Sequence, residues 1–388
     1  MLRLAVEADP HSLDPGQVFS NEEAMLTTGS AGIVRRPDPK RPTKSPGNVP
    51  IGAGPFVVKN WVRGARIQLE RNPYYILRKM PQPDRIDVMV NLDRTTQFMM
   101  FERGELDFQH YIQDPDFVRI RRRPQLSSAL RVVAGSSPTF VFLNCEMPPF
   151  TNRLVRLALN YAIDKEALVR VLANRCVVAR GPLQLVVRGF NQGLTAYPHD
   201  PAKARALLAQ AGLTNGFEST LWTNRDDPRW IKIALFVQQS LKEYGIRLEI
   251  REVGYPTLVQ LCGKRRNVPM GVFDWVSAAD DPKELLDSLL NGDNILDENC
   301  VNVAFYSNPR AQQLFRDAVA EANSNRRLEI YRQIESIVVE DVSWIFLVQF
   351  NTEVLVQHWV KGFKPRGFWP PARFDSTWLE PAGRPATP

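Results

Sequence analysis

The sequence predicts an α/β protein of two lobes, with mixed sheets flanked by helices. Three observations carry that reading. A chain of 388 residues exceeds what one ordinary hydrophobic core organises, so two lobes are the default expectation. Stretches of period-two alternation are interleaved with stretches of helical period. The clearest case runs through residues 218–222, 228–244 and 246–251, read as strand, helix and strand in a right-handed unit with parallel strands. Finally, strand-like segments at 344–350 and 353–357 close the pattern, the second returning toward the first lobe, so the chain crosses between lobes twice.

Taken in order, residues 2–7 alternate as a short strand and lead into a loop of turn formers, Ala8 to Pro15. Residues 35–48 are rich in proline and basic side chains without periodicity and read as loop. Residues 51–61, 67–75 and 83–90 carry strand words, and 95–103 a short helix that stops at Gly104. Residues 130–144 are apolar and extended and pass into the second lobe. Leu154, Leu157, Ala158, Tyr161, Leu168, Val171 and Leu172 then recur at three- and four-residue steps. They define one apolar helix face, with Arg153, Arg156, Asn160 and Lys165 expected elsewhere. Asp164 restarts that helix by capping a fresh turn. Asp200 with Pro201 opens another helix that ends at Gly212. After a strand at 271–275, Asn308-Pro309 opens a helix whose partner spans 326–340.

Composition narrows the function classes. With 44% hydrophobic and 23% charged residues the chain has the make-up of a soluble globular protein. The net charge of +7 is dispersed: the tight basic runs are Arg35-Arg36, Arg119 with Arg121 to Arg123, and Lys264 to Arg266. None is interleaved with an aromatic platform, so no nucleic-acid partner is expected. No apolar run is long enough to span a bilayer, and the opening Met1-Leu-Arg-Leu-Ala-Val is too short for a signal core. A cytoplasmic location therefore stays open on the sequence. Cys145, Cys176, Cys262 and Cys300 form no Cys-x-x-Cys pair and read as buried thiols, with one long-range disulfide left open. The four histidines show no metal spacing, and the chain has no Gly-x-Ser-x-Gly, phosphate loop or dinucleotide fingerprint. A binding protein without catalytic residues, cofactor or metal is the expectation.

Six segments in order give that expectation a family. Ile51-Gly-Ala-Gly-Pro-Phe with Trp61, Ile67 to Tyr75, Glu105-Leu-Asp, Pro149-Phe with Val155-Arg-Leu-Ala-Leu-Asn-Tyr-Ala-Ile-Asp164, Tyr197 to Leu213, and Trp275 with Asp281-Pro282 resemble the family 5 solute-binding proteins. These are the peptide, dipeptide and nickel receptors of ABC importers. The resemblance implies a two-lobed periplasmic-binding-protein-like fold (type II, cluster C) with lobe I over 1–133, lobe II over 134–352, and a return to lobe I over 353–388. It also implies a peptide or other small polar solute bound between the lobes, hinge closure, a monomer, a membrane permease as partner, and a periplasmic or cell-surface location. One departure is large: only residues 16–51 separate the Asp14-Pro15 loop from the glycine box, so the family's small extra domain and part of the lobe I sheet are missing. Two other readings stand beside the first, a cytoplasmic sensing or regulatory module with the same fold, and a degenerate relative without ligand.

Three loops are the expected ligand contacts. The first offers His11 and Ser12. The second, following residues 218–222, offers Asn224 and Arg225; in dipeptide-binding relatives this loop supplies a basic group for a carboxylate, which guanidinium geometry suits. In the third, which begins at Trp275, the resemblance places the amine-binding aspartate of peptide receptors at Ala278. That anchor is absent, Asp280 two residues on is the candidate substitute, and Trp275 is a candidate stacking platform.

Overall fold

The computed structural model describes residues 1–7, 54–76, 79, 81–368 and 370–380; His11 and Ser12 lie outside the described residues. The chain divides into two compact units, one formed by Met1–Val133 with Thr352–Pro388 and the other by Ala134–Asn351.

In the first unit a four-stranded sheet runs in the order β1-β4-β3-β2. Strand β1 (Leu2–Ala5) is parallel to β4 (Arg85–Met89), which pairs antiparallel with β3 (Arg66–Arg71), itself antiparallel to β2 (Phe56–Val62). Alternation puts Leu2, Leu4, Ile67, Leu69, Ile86 and Val88 into one core with Phe108 and Trp359. Helices α1 (Arg94–Glu102) and α2 (Asp114–Arg122) cover a second cluster built on Phe98, Phe101, Phe117 and Ile120. The basic run begins in α2, where Arg119 pairs with Glu102 from α1, as Arg123 does from just beyond the helix. A short helix, α3 (Pro124–Ala129), follows.

One carboxylate joins three distant stretches of this unit. Asp107 is fully buried and accepts from the Arg3 backbone amide (2.7 Å), the Arg3 guanidinium (3.0 Å) and the Trp359 indole (2.8 Å). The strand that follows, β5 (Phe108–His110), pairs with the end of β11 (Trp344–Val356). Val354 and Val356 enter the first core while Leu355 enters the second, so this end of β11 is buried on both faces. Residues 344–350 and 353–357, read from sequence as two strands, form this single strand. Asn351 does not interrupt it, because its amide donates to Arg175 and its side chain accepts from Gly135.

The second unit is built on the sheet order β11-β6-β10-β8-β9, with β7 (Cys176–Val178) added on β11. Here β6 (Leu130–Leu143) is antiparallel to β10 (Met270–Asp274), while β8 (Glu218–Asn224) is parallel to both β10 and β9 (Arg247–Val253). Helix α7 (Pro228–Lys242) links β8 to β9, and α8 (Tyr255–Cys262) links β9 to β10 across β8. Right-handed crossovers in opposite directions put these two helices on opposite faces and converge the loops after β8, β9 and β10 at one sheet edge. Gly216 and Gly245 make the opposite edge tight: both have positive φ, and a Cβ on Gly216 would lie 2.2 Å from the Gly245 carbonyl carbon.

The remaining helices are α4 (Arg153–Ala162), α5 (Lys165–Val171), α6 (Pro201–Gln210), α9 (Pro282–Leu290), α10 (Pro309–Ala320) and α11 (Ser324–Asp341). Asp164, Asp200 and Asn308 cap α5, α6 and α10 through their side chains, as their positions predict. The apolar face of α4 differs from the expected one. Arg156, Asn160 and Lys165 are buried rather than outward, and Val171 is exposed. Each of the three polar groups answers backbone carbonyls: Arg156 donates to Asp341 and Phe150, Asn160 to Trp344, and Lys165 to Asn160 and Tyr197. Burial draws the Lys165 ammonium down to about 7. All four cysteines are free thiols.

Because Asp107 is an ion-paired carboxylate with no solvent, Asp107→Ala strands the Arg3 charge and orphans the Trp359 indole. Urea unfolding of the first unit should register a loss of roughly 3–5 kcal/mol, whereas an unchanged midpoint would show that the cluster is not a joint.

Candidate loop site at the edge of the parallel strands

The loops that follow β8, β9 and β10 meet on the second unit, and their own residues fix one another. Asn224, buried at the end of β8, accepts the Asp226 amide at 2.9 Å, an Asx turn that bends the chain away from the strand. The Asp226 carboxylate accepts the Tyr255 amide at 2.9 Å and so closes the start of α8. Asp227 caps α7 through the Arg229 amide and holds the Arg229 guanidinium, which also lies 5.1 Å over the Phe350 ring. Arg225 is exposed; its amide donates to Val253, and its guanidinium stands 3.8 Å from Asp226.

The loop after β10 is held even more completely. Trp275 continues the β6 ladder, its amide donating to Pro138 and its carbonyl accepting from Ser137. Its indole Nε1 is buried with no partner among the described residues. Ser277 is fully buried and accepts from Gln184 at 2.7 Å. The amides of Ala278 and Ala279 donate to the two oxygens of Glu284, at 2.9 and 3.0 Å. Asp280 accepts the Arg188 amide at 2.7 Å and pairs with its guanidinium at 2.8 Å. Asp281 caps α9 and binds Arg327 through two bonds of 2.8 and 2.9 Å. The loop after β10 thus spends its own carboxylates on its own shape, and Ala278 presents only a methyl group.

Behind it lies a supporting segment, residues 183–191. Gln349 from β11 donates to Leu183 and accepts from Leu185. At the far end the Asn191 amide donates to Glu335 of α11 at 3.0 Å, the Leu183 amide lies near enough to favour the ionised carboxyl, and Glu335 Oε1 has no hydrogen-bond partner among the described residues. Glu335 is fully enclosed, and burial pushes its carboxyl up to about 8 against the pull of those two amides.

Sequence reasoning did not single out Asp274, Asp227, Arg229 or Tyr255. Asp274 is partly buried at the end of β10, where burial pushes its carboxyl up to about 6; Arg229 draws it down and Asp227 adds to the rise. The Trp230 ring lies 5.8 Å from Phe273 and 6.1 Å from the exposed Tyr255 ring, edge-on to the latter. The legible signal was Asp227-Pro228, a helix-capping pair; a lone aspartate ending an apolar strand gives none. The structure brings Asn224, Arg225, Trp275, Ala278 and Asp280 into the loops that follow β8 and β10. No cluster of ligating side chains suited to a metal occurs among the described residues.

Comparison with known proteins places the chain. Residues 10–297 match the family described as bacterial extracellular solute-binding proteins, family 5, and the chain belongs to that family. It is 28% identical over 302 residues to the heme-binding protein A of Haemophilus influenzae, covering 76% of this chain and 54% of that protein. It is 28% identical over 327 residues to the glutathione-binding protein GsiB of Salmonella choleraesuis, covering 82% and 62%. The chain therefore spans about six tenths of the length of the curated relatives it matches. Among solved structures, the periplasmic binding protein DppA of Helicobacter pylori in complex with a peptide superposes with a TM-score of 0.71 at 25% identity, over 86% of this chain and 64% of that one. The substrate-binding protein CtaP of Listeria monocytogenes gives 0.79 at 17% identity, over 97% and 99%, a likeness of fold. The fold is that of the periplasmic peptide-binding proteins.

The Glu335 carboxyl makes a signed prediction. Its native pKa of about 8 lies above the ordinary 4.5, so between those values the native state holds a proton that the unfolded chain has lost. Stability should fall as pH rises through that window, by up to about 1.4 kcal/mol per pH unit, and level off above it. Glu335→Gln should flatten the profile from pH 5 to 8 in denaturation experiments; an unaltered slope would mean that the group is ionised in the fold.

Proposed function

We propose that the chain is the substrate-binding protein of an ABC importer, taking up a peptide or another small polar solute and delivering it to a membrane permease. The observation that carries the reading is the loop edge of the second unit: membership in a family of solute receptors coincides with three converging loops after parallel strands, the usual ligand position in such sheets. Membership in a family of solute-binding proteins favours binding over transformation. Delivery to a permease fits an extracytoplasmic location, and no helix among the described residues is long and apolar enough to cross a membrane.

Residues on two loops form the proposed contacts. Asn224 shapes the turn that presents Arg225, whose exposed guanidinium suits a ligand carboxylate. Trp275 offers a wall, and Ala278 leaves the position of an amine anchor empty. Asp280 shapes the loop through Arg188 rather than standing ready for a ligand. His11 and Ser12, the other two residues expected from the sequence, lie outside the described residues.

Without a carboxylate at 278, peptides with a free α-amine gain no charge-assisted contact there. Calorimetry with a mixed di- and tripeptide set should find affinities no tighter for free than for N-acetylated peptides. Ala278→Asp should strengthen binding of the free-amine members by about tenfold or more, the worth of a hydrogen bond to a charged group. Tight wild-type binding that vanishes on N-acetylation would refute the proposed role of Ala278.

A further inference from the structure

Two buried hydroxyls without partners among the described residues share a sheet face with Asp274, whose carboxylate has the Trp230 indole as a side-chain hydrogen-bond partner. Among the described residues no lysine or arginine forms an ion pair with Asp274; the nearby Arg229 guanidinium is committed to Asp227. In the β6–β10 ladder Thr139 lies directly opposite Asp274, so the two side chains share a face of the sheet. On the other side of β10, Leu221 pairs with Met270, which puts Leu221 and Thr223 on that same face. Thr139 is 1% exposed and Thr223 0%, and neither hydroxyl has a hydrogen-bond partner among the described residues. Orphaned buried hydroxyls are costly and call for an occupant.

We propose that Asp274, with the Thr139 and Thr223 hydroxyls on the same face of the sheet and the Tyr255 ring nearby, is the seat for a cationic group of the solute, an ammonium or an amidinium. This rests on the receptor reading above and names the ligand chemistry that the missing anchor at 278 leaves open. An ammonium brings three donors and no acceptor; the carboxylate takes one or two, and hydroxyl oxygens accept the rest. The Tyr255 ring, near enough to feel the Asp274 charge, is the aromatic group that would add cation–π attraction. The seat lies within the strand end, four residues before Ala278, so it selects a charged side chain rather than the α-amine of a peptide backbone. The charged groups that face it are Asp227 and Arg229 at the start of α7, with the Tyr255 phenol at the start of α8. As pH falls through the titration of Asp274, the seat loses its charge and its attraction for a cation.

The test uses the full chain and two N-acetylated tripeptides, Gly-Lys-Gly and Gly-norleucine-Gly, which differ in one ammonium group. Calorimetry at pH 7 should find the lysine peptide bound about tenfold or more tightly, with that preference shrinking at pH 5. Asp274→Asn should erase the preference while leaving norleucine binding intact. Thr139→Val should narrow the preference while raising the melting temperature of the free protein, since it removes an orphaned hydroxyl; this variant serves if Asp274→Asn does not fold. Equal wild-type affinities, or a preference that survives Asp274→Asn, would overturn the seat and leave the receptor reading standing. If neither tripeptide nor any member of a broad peptide panel binds, the seat and the peptide-receptor reading fall together.

Discussion

The carboxyl group of Glu335, enclosed behind the sheet of the second unit, governs the loop edge from a distance. It accepts the Asn191 amide at one end of segment 183–191, and the Leu183 amide at the other end lies near enough to pull on it. That segment in turn reaches the loop after β10 at two points, Gln184 on Ser277 and Arg188 on Asp280. A buried carboxyl that holds a backbone amide is a constraint because the alternative, an unpaired N–H group and a wholly unpaired acid in an apolar interior, costs several kcal/mol in all. The loop is therefore set by a relay: helix α11 fixes a segment, and the segment fixes the loop.

This relay sets the loop after β10 without any contribution from the side chain of Ala278, the position where the resemblance to peptide receptors implies an amine-binding aspartate. Glu284 takes the amides of Ala278 and Ala279, Arg188 takes Asp280, and Arg327 takes Asp281. Each carboxylate of the loop is engaged in shaping it. Asp274, one residue before Trp275, makes no ion pair of this kind; its hydrogen-bond partner is the Trp230 indole, and the Thr139 and Thr223 hydroxyls on its face of the sheet have no partner among the described residues.

Much of the frame was legible in the sequence because its signals are local. Asp164, Asp200 and Asn308 announce helix starts by position, and the β8–α7–β9 unit shows its periods plainly. What stayed hidden depends on partners far along the chain. Arg156 and Asn160 look like solvent-facing residues of an amphipathic helix, and they are buried because carbonyls some 185 residues away, at Asp341 and Trp344, need donors. Helices α2 and α8 were missed because few of their positions are buried: α2 buries only Phe117 and Ile120, and α8 only Leu258 and Cys262. The site divides the same way. The two loops and Trp275 were visible as motifs, whereas Asp274 and Glu335 acquire meaning only from what surrounds them in space.

The central claim, that solute binds at the loops after β8 and β10, has a direct probe in the chain's eight tryptophans. In a 15N-labelled sample, each indole N–H gives one resonance, and substitution to phenylalanine assigns those of Trp230 and Trp275. On titration with whichever peptide calorimetry shows to bind, these two signals should shift in proportion to occupancy, led by that of Trp275, whose Nε1 has no partner among the described residues. Saturable binding that leaves both signals in place while others move would contradict the account and put the site elsewhere in the molecule.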